Sequence, residues 1–127
     1  MSTRTIGAQG EAFAARILEK QGMEILCRNY YTPYGEVDLI ARDGSCIAFV
    51  EVKARRAGSM TRPAEAVTPR KQGRIAKSAV CYLMEHPEPL QPRFDVFEIV
   101  MEKGEPFSVR SYQYIINAYE VTNYESI

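Results

Sequence analysis

Apolar residues in the first part of the chain recur with two different periods. Between residues 6 and 21 they recur at three- and four-residue intervals and Gly22 follows as a stop signal, which predicts an amphipathic helix. From Glu24 to Tyr31 the composition is typical of a β-strand, and the turn sequence Thr32-Pro33-Tyr34-Gly35 ends it. A helix followed by a strand is therefore expected here.

Two longer apolar runs flank the dipeptide Asp43-Gly44, which is typical of a tight β-hairpin turn. They predict a strand from Glu36 to Arg42 and another from Cys46 to about Arg55. Both alternating faces of the second run are apolar as far as Glu51. We therefore expect this strand to be central in the sheet and covered on both sides.

Turn and capping residues organise the second half of the chain. Residues 56–67 have an irregular composition, and Thr68 is then a predicted N-cap with Pro69 at the first helical position. This helix is predicted to end near His86, directly before a proline. Three more elements are expected in order: a strand over Phe94–Val100, a strand near Phe107–Tyr112, and a short helix or turn near Tyr114–Tyr119.

The predicted order of elements is α-β-β-β-α-β-β. This order indicates the α/β fold class, with a mixed central sheet that is flanked by helices. The chain has 127 residues and shows neither internal repeats nor a linker-like tract, so we expect one domain over residues 1–127.

Four charged residues interrupt the two hairpin strands. Because side chains alternate between the faces of a strand, Glu36 and Asp38 should share one face, opposite Val37. Glu51 and Lys53 should likewise share one face of the next strand, and matched faces would place all four side chains on one side of the sheet. A buried ionised carboxylate is unfavourable unless it is paired or binds a cation. A structural ion pair and a metal site are both open at this point.

These residue types fit metal-assisted hydrolysis of a phosphodiester. Mg²⁺ prefers oxygen ligands and one or two carboxylates suffice to bind it, so Asp38 and Glu51 are predicted to hold Mg²⁺ or Mn²⁺. Such an ion polarises a phosphoryl oxygen and lowers the pKa of bound water. Lys53 would orient the attacking water or stabilise developing negative charge. For Glu36 three roles stay open: a partner of the metal ligands, an additional ligand, or a charge at the end of the turn.

Basic residues concentrate directly after the third predicted strand. Half of the 16 Lys and Arg residues lie within residues 53–77, against a single acidic residue. This favours an anionic ligand at that end of the sheet, although a charged run is also typical of a solvated face. The residues predicted to contact nucleic-acid phosphates are Arg55, Arg56, Arg62, Arg70, Lys71, Arg74 and Lys77.

Global features exclude several classes of protein. The formal net charge is zero, which argues against a protein that binds nucleic acid by bulk attraction. No apolar run approaches the roughly 18–20 residues that cross a bilayer, so no membrane association is expected. Cys27, Cys46 and Cys81 have neither metal-binding nor paired spacing, which predicts buried, reduced thiols in a cytoplasmic protein.

Several motifs, spread over nearly the whole chain, are specific in combination. They are Gly7-x-x-Gly10-Glu11-x-x-Ala14, Arg28-Asn29, Gly35-Glu36-Val37-Asp38-Leu39-Ile40-Ala41, Phe49-Val50-Glu51-Val52-Lys53-x-Arg55, Pro63-x-Glu65-Ala66-Val67, Lys71, Arg93-Phe94-Asp95 and Ile116-Asn117-Ala118-Tyr119. The combination resembles the bacterial UPF0102 (YraN-like) proteins. These are small proteins that are predicted to have the restriction-endonuclease-like fold and are similar to archaeal Holliday-junction resolvases.

The resemblance implies an αβββαβ core and a role for individual residues. In nucleases of this fold a D…E-x-K set carries catalysis, and it corresponds to Asp38, Glu51 and Lys53. An acid on the first helix often joins the set, which corresponds to Glu11. Glu36 departs from the resolvase pattern, in which a small hydroxylated residue is expected. Resolvases cut two strands symmetrically as dimers, so the analogy also raises a homodimer as an option.

Three hypotheses follow for the function. The first is a Mg²⁺- or Mn²⁺-dependent endonuclease that hydrolyses DNA phosphodiester bonds, with branched or damaged DNA as candidate substrates. The alternative is a non-catalytic nucleic-acid- or protein-binding module that retains the nuclease scaffold. In the third, Glu51 and Lys53 form only a structural ion pair. Metal-dependent cleavage distinguishes the first hypothesis from the other two.

Overall fold

The computed structural model describes residues 3–59 and 67–121. Its elements follow the predicted order α-β-β-β-α-β-β. They are α1 (Thr3–Lys20), β1 (Glu24–Thr32), β2 (Gly35–Asp43), β3 (Cys46–Arg56), α2 (Pro69–Glu85), β4 (Gln91–Met101) and β5 (Val109–Ile115).

The strands form one five-stranded sheet in the order β1-β2-β3-β4-β5. Strand β3 runs antiparallel to β2 and parallel to β4, while the two outer pairs are antiparallel. A parallel pair needs a crossover connection, and α2 provides it between β3 and β4. This confirms the mixed α/β sheet, which is consistent with a restriction-endonuclease-like core.

The core lies in two layers on either side of the sheet. On one side, Leu18 of α1 belongs to a buried cluster with Val50 of β3. On the other side, Ala79 of α2 belongs to a cluster with Phe49 of β3. Because neighbouring residues of β3 enter both clusters and are fully buried, the prediction of a central strand covered on both faces is confirmed.

The ends of α2 are where the capping residues predict them. Thr68 has an extended backbone and its side chain accepts a hydrogen bond from the Lys71 N–H, with Pro69 at the first helical position. The helix ends at Glu85 and His86 is its C-cap. Within the described ranges, neither helix is long and apolar enough to cross a membrane.

The last strand lies further along the chain than its sequence pattern predicts. The strand expected near Phe107–Tyr112 runs from Val109 to Ile115, so Tyr114 is in the strand and not in the expected helix or turn. The hydroxyl of Tyr114 donates a hydrogen bond to Asp95 of β4, and this contact favours an extended chain here. Only tertiary structure brings Asp95 next to this strand.

The prediction for the cysteines is correct in one respect and wrong in the other. Cys27, Cys46 and Cys81 are all free thiols, as their spacing predicts. They are half-buried rather than buried. Cys27 lies on the edge strand β1 and Cys46 on the first residue of β3, positions where the core does not enclose a side chain.

Candidate active site

Three carboxylates from two elements converge at the open end of the β2–β3 hairpin. Oxygen atoms of Glu11, Glu36 and Asp38 all lie within 4.8 Å of one another. Glu11 comes from α1, and the other two come from the start of β2. Asp38 is only 8 % exposed, Glu11 is half-buried and Glu36 is exposed. The helix acid that the resemblance implies is therefore next to Asp38.

Asp38 occupies a break in the pairing of β2 with β3. Backbone pairing reaches Leu39 opposite Val50 and does not continue to Asp38. The Asp38 carboxylate instead accepts a hydrogen bond from the Val52 N–H at 2.8 Å. The side chain thus satisfies a backbone donor where the strands stop pairing, which fixes the position of the carboxylate.

Asn29 supports the same cluster from β1. It lies between the pairs Arg28–Leu39 and Tyr30–Val37, so it is opposite Asp38 in register. Its φ of 54° is in the left-handed region, which asparagine adopts more readily than most residues. Its side chain also hydrogen-bonds to Glu11. Sequence reasoning noted Asn29 only within a motif, because nothing local marks it as a contact of Glu11.

The predicted alternation of faces along β2 is wrong at Val37. Val37 packs in the same cluster as Ile40, on the side of α2, although strict alternation would place these residues on opposite faces. The strand is irregular where its pairing with β3 ends. As a result the acids meet from both faces of the sheet and not from one, with Glu11 on the α1 side and Glu51 in contact with α2.

Glu51 is held by two lysines. The Nζ atoms of Lys53 and Lys71 lie 3.0 Å and 2.6 Å from its Oε1 atom. Glu51 is only 6 % exposed, so these ion pairs replace the hydration that its carboxylate loses. Lys71 was predicted to contact phosphates, but it lies directly against Glu51. Burial lowers the pKa of Lys71, but its hydrogen bonds to Glu51 and Lys53 and the negative charges of Glu51 and Asp38 together outweigh burial, so the pKa is raised above its ordinary value.

Asp38 and Glu11 have raised pKa values. Burial, followed by the nearby charge of Glu51, raises the pKa of Asp38 to about 8, although the hydrogen bond from Val52 acts in the other direction. Burial also raises the pKa of Glu11, against the opposing hydrogen bond from Asn29. Elevated values of this kind are typical of sites where negative charge is concentrated for a function.

Asp38 and Glu51 line one cavity of about 450 Å³. The other lining residues are Gly35, Glu36, Thr68, Arg70, Lys71, Arg74 and Ile75. The structure therefore brings together the two residues predicted as metal ligands, with Lys53 bonded to one of them. Among the described residues, the group of acidic oxygens within 4.8 Å of one another is Glu11, Glu36 and Asp38, and it does not include Glu51.

Only some of the predicted phosphate-binding residues lie at the cavity. Arg70 and Arg74 line the cavity, and Lys77 lies one turn further along the same face of α2. Arg56 is exposed on the last residue of β3, whereas half-buried Arg55 donates to the Ser59 carbonyl at 3.4 Å. Arg62 lies outside the described residues.

A second buried charged group, formed by Arg93 and Asp95, lies on β4. Asp95 is 0 % exposed and accepts hydrogen bonds from Arg93, from the Tyr114 hydroxyl and from the Asn117 N–H. Arg93 also bonds to Asp43 in the β2–β3 turn at 3.0 Å. Sequence reasoning missed this network, although an arginine and an aspartate two residues apart on one strand share a face. It ties the hairpin turn to β4 and β5.

Comparison with known proteins agrees with the motifs described above. The model of the uncharacterised protein family UPF0102 matches residues 10–99. A UPF0102 protein of Nocardia farcinica is 50 % identical over 102 residues, which are 80 % of each chain. One from Syntrophomonas wolfei is 44 % identical over 117 residues, covering 91 % of this chain and 98 % of that protein. A relative in Dictyoglomus thermophilum is 42 % identical over 120 residues, covering 94 % of this chain and 100 % of that protein.

The matched range contains Glu11, Asp38, Glu51, Lys53 and Lys71, which are the residues that meet at the hairpin end. The chain therefore belongs to the UPF0102 family.

Proposed function

We propose that this protein is a Mg²⁺- or Mn²⁺-dependent endonuclease that hydrolyses DNA phosphodiester bonds. One observation carries the proposal: Asp38 and Glu51 line one cavity beside a cationic face of α2, with Glu11 next to Asp38 and two lysines bonded to Glu51. A purely structural cluster would pair each buried acid with a base. Here Asp38 faces three other acids, and its pKa is raised.

The donor set fits a hard divalent cation. Carboxylate oxygens are the ligands that Mg²⁺ and Mn²⁺ prefer, and the oxygens of Glu11, Glu36 and Asp38 are close enough to share one ion. Glu51 lines the same cavity as Asp38 and is the fourth candidate ligand. A bound cation would neutralise the repulsion that raises the pKa of Asp38, so the site is better satisfied with a cation than without one.

The remaining chemistry comes from groups that the fold holds in place. When bound, the ion supplies Lewis-acid polarisation of a phosphoryl oxygen and increased acidity of a water. Val52 fixes Asp38 through its backbone N–H, and Asn29 fixes Glu11 through its side chain. Lys53 is 25 % exposed and contacts Glu51, so its ammonium group can orient a water or stabilise charge on a phosphate without leaving the site.

The cationic face of α2 favours a polyanionic substrate. Arg70 and Arg74 line the acidic cavity itself, and both are exposed. Contacts from such side chains to phosphates position a nucleic acid but do not read its sequence. The similarity to junction resolvases that the motifs indicate favours DNA over other polyanions.

Cleavage assays on defined DNA test this proposal. The substrates are linear duplex, single-stranded and four-way-junction DNA, each with Mg²⁺, with Mn²⁺ or with EDTA. Glu51→Gln, Lys53→Met and Asp38→Asn should each abolish metal-dependent cleavage, because each removes a candidate metal ligand or the charge that contacts one. Glu19→Gln and Lys20→Met are matched controls at the exposed end of α1 and should cleave like the wild type. Cleavage that survives in the three site variants would refute the site.

The other two hypotheses predict different results. A non-catalytic module would bind DNA with a strong dependence on salt and show no metal-dependent turnover. In the case of a structural ion pair, the double variant Glu51→Gln with Lys53→Met would bind metal and DNA like the wild type, with unchanged or higher stability.

A further inference from the structure

A second groove opens beside the acidic cavity. It has a volume of about 680 Å³, within the range of about 300–1,000 Å³ that is usual for ligand pockets. The residues that line this groove, called the Tyr34 groove below, are Thr32, Pro33, Tyr34, Gly35, Pro69, Arg70, Gly73, Arg74 and Lys77. Three of them are cations, and none of the lining residues in the described part of the chain is acidic.

The Tyr34 groove is continuous with the acidic cavity. Gly35, Arg70 and Arg74 line both. A chain of phosphates that contacts the two arginines would therefore pass from one into the other. A Cβ at Gly35 would have no atom within 4 Å, so there is open space next to this shared residue.

Tyr34 is held in place by the turn that carries it. The Tyr34 N–H donates to the Thr32 Oγ1 atom at 3.1 Å. That oxygen lies 2.7 Å from the hydroxyl of Ser78, which is fully buried on α2. The β1–β2 turn is thus attached to α2. The backbone of Tyr34 is therefore held before any ligand arrives, which lowers the entropic cost of binding.

The ring itself combines an aromatic surface with a cation. The Lys77 Nζ atom lies 5.1 Å from the ring centroid of Tyr34, within the range of a cation–π interaction. Tyr34 is nevertheless 46 % exposed. An exposed aromatic ring among cations is the arrangement with which proteins bind single-stranded nucleic acid, because bases stack on the ring while cations contact the backbone.

We propose that an unpaired base of the substrate strand stacks on Tyr34 while the adjoining phosphates contact Arg70 and Arg74. Base faces inside a duplex are covered by neighbouring bases, so Tyr34 selects DNA that is single-stranded next to the acidic cavity. The selection of unpaired DNA is a binding property. The statement that cleavage occurs next to the unpaired base rests on the nuclease function proposed above.

Binding measured without metal tests the proposal on the full chain. Fluorescence anisotropy in EDTA compares three probes: labelled oligo-dT, an abasic oligomer of the same length, and a blunt duplex. Tyr34→Ala should weaken oligo-dT binding by roughly 5- to 150-fold, the usual effect of losing one base–aromatic stack. It should leave binding of the abasic oligomer and the duplex within about twofold. Tyr34→Phe keeps the ring and should bind oligo-dT like the wild type.

The nearby Tyr31→Ala is the matched control, because Tyr31 is exposed on β1 and does not line the groove. It should bind all three probes like the wild type. Circular dichroism and thermal melting check that each variant folds. The proposal is overturned if Tyr34→Ala binds oligo-dT normally, if it loses affinity for all three probes alike, or if Tyr34→Phe and Tyr31→Ala weaken oligo-dT binding as much as Tyr34→Ala does.

Failure of the proposed function gives a different result. If no substrate is cleaved with Mg²⁺ or Mn²⁺ but Tyr34→Ala still loses oligo-dT affinity selectively, the groove binds unpaired DNA and the nuclease function is refuted. If the wild type cleaves blunt duplex as fast as duplex with a single-stranded flank, and Tyr34→Ala slows neither reaction, the nuclease function stands and selection by Tyr34 is refuted.

Discussion

Replacing Asp38 by asparagine should stabilise the metal-free protein, and the gain should increase with pH. In the folded protein the pKa of Asp38 is raised to about 8 by burial and by the nearby acid Glu51, from an ordinary value of 3.8. The folded state therefore binds more protons than the unfolded state between these two pH values. Because the unfolded state binds fewer, the free energy of unfolding of the wild type falls as the pH rises from about 4 to about 8. Asparagine does not titrate and lacks this contribution.

The size of the expected stability gain follows from how far the pKa of Asp38 is raised. One pKa unit corresponds to about 1.4 kcal/mol, so the interval from pH 5 to pH 8 gives an upper limit of about 4 kcal/mol. The gain should be smaller than this limit, because Asp38 shares the electrostatic repulsion with Glu11 and Glu51. We expect Asp38→Asn to gain about 1–3 kcal/mol relative to the wild type over this interval.

Urea denaturation in EDTA at several pH values from 5 to 9 measures this difference. Glu19→Gln is the matched acid-to-amide control on an exposed position of α1, and its stability difference from the wild type should not vary with pH by more than about 0.5 kcal/mol. A stability difference for Asp38→Asn that is independent of pH, or one that decreases as the pH rises, would refute the assignment of a raised pKa to Asp38.

Adding a divalent metal ion should make the wild type more stable than Asp38→Asn, the reverse of their order without metal. A ligand present at 100 times its Kd stabilises a protein by about 2.7 kcal/mol if it binds only the folded state. At pH 8 we expect Mn²⁺ to stabilise the wild type and Glu19→Gln in this way and to have little effect on Asp38→Asn. Equal stabilisation of all three proteins would show that the ion binds elsewhere.

Further predictions concern the scaffold, and urea denaturation checks each of them. Gly10→Ala on α1 should stabilise the protein by about 0.5–1 kcal/mol, because alanine favours the helix and its added Cβ would lie 3.6 Å from Ile99, an ordinary contact. A loss of stability would show that α1 packs against the sheet too tightly to accept the added methyl group. Asp95→Asn should destabilise the protein by about 3 kcal/mol, since it leaves the buried charge of Arg93 without its partner. Mn²⁺ binding should be unchanged, because Asp95 is not part of the acidic cavity. Loss of metal binding in a folded variant would contradict a purely structural role. Thr68→Ala should cost about 1 kcal/mol through loss of the N-cap of α2, and Thr68→Ser should restore most of it; equal losses in both variants would argue against the cap.

Local sequence determines most of the fold, and particular residues show why. The Asp43-Gly44 turn lies between two strands in the structure, and Thr68 with Pro69 starts α2. Each of these depends on the backbone preferences of adjacent residues. The start of β5 and the place of Tyr114 were not predicted, because β5 pairs with β4 and Tyr114 bonds to Asp95, contacts between residues that are distant in the sequence.

The site was predictable only in part, for a related reason. Asp38 and Glu51 could be identified because a charge within an apolar strand is unusual wherever the strand lies. The contacts of Glu11 and Lys71 depend on how the helices pack on the sheet, which no local pattern encodes. The alternation rule failed at Val37 because it assumes a regular strand, and β2 loses its pairing with β3 at this point.

The described part of the chain contains two groups of buried charges, and their difference distinguishes a structural role from a functional one. Asp95 is surrounded by donors, with an arginine, a tyrosine hydroxyl and a backbone N–H all directed at its oxygens. Such a group is satisfied within the fold and needs no ligand. Asp38 is nearly as deeply buried, yet its strongest electrostatic neighbours are acids and its one described backbone donor does not offset them. Folding retains this repulsion although amide side chains of the same size would remove it, which is expected if a cation balances the charge during function. The comparison therefore favours a cation-binding role at Asp38 and a structural role at Asp95.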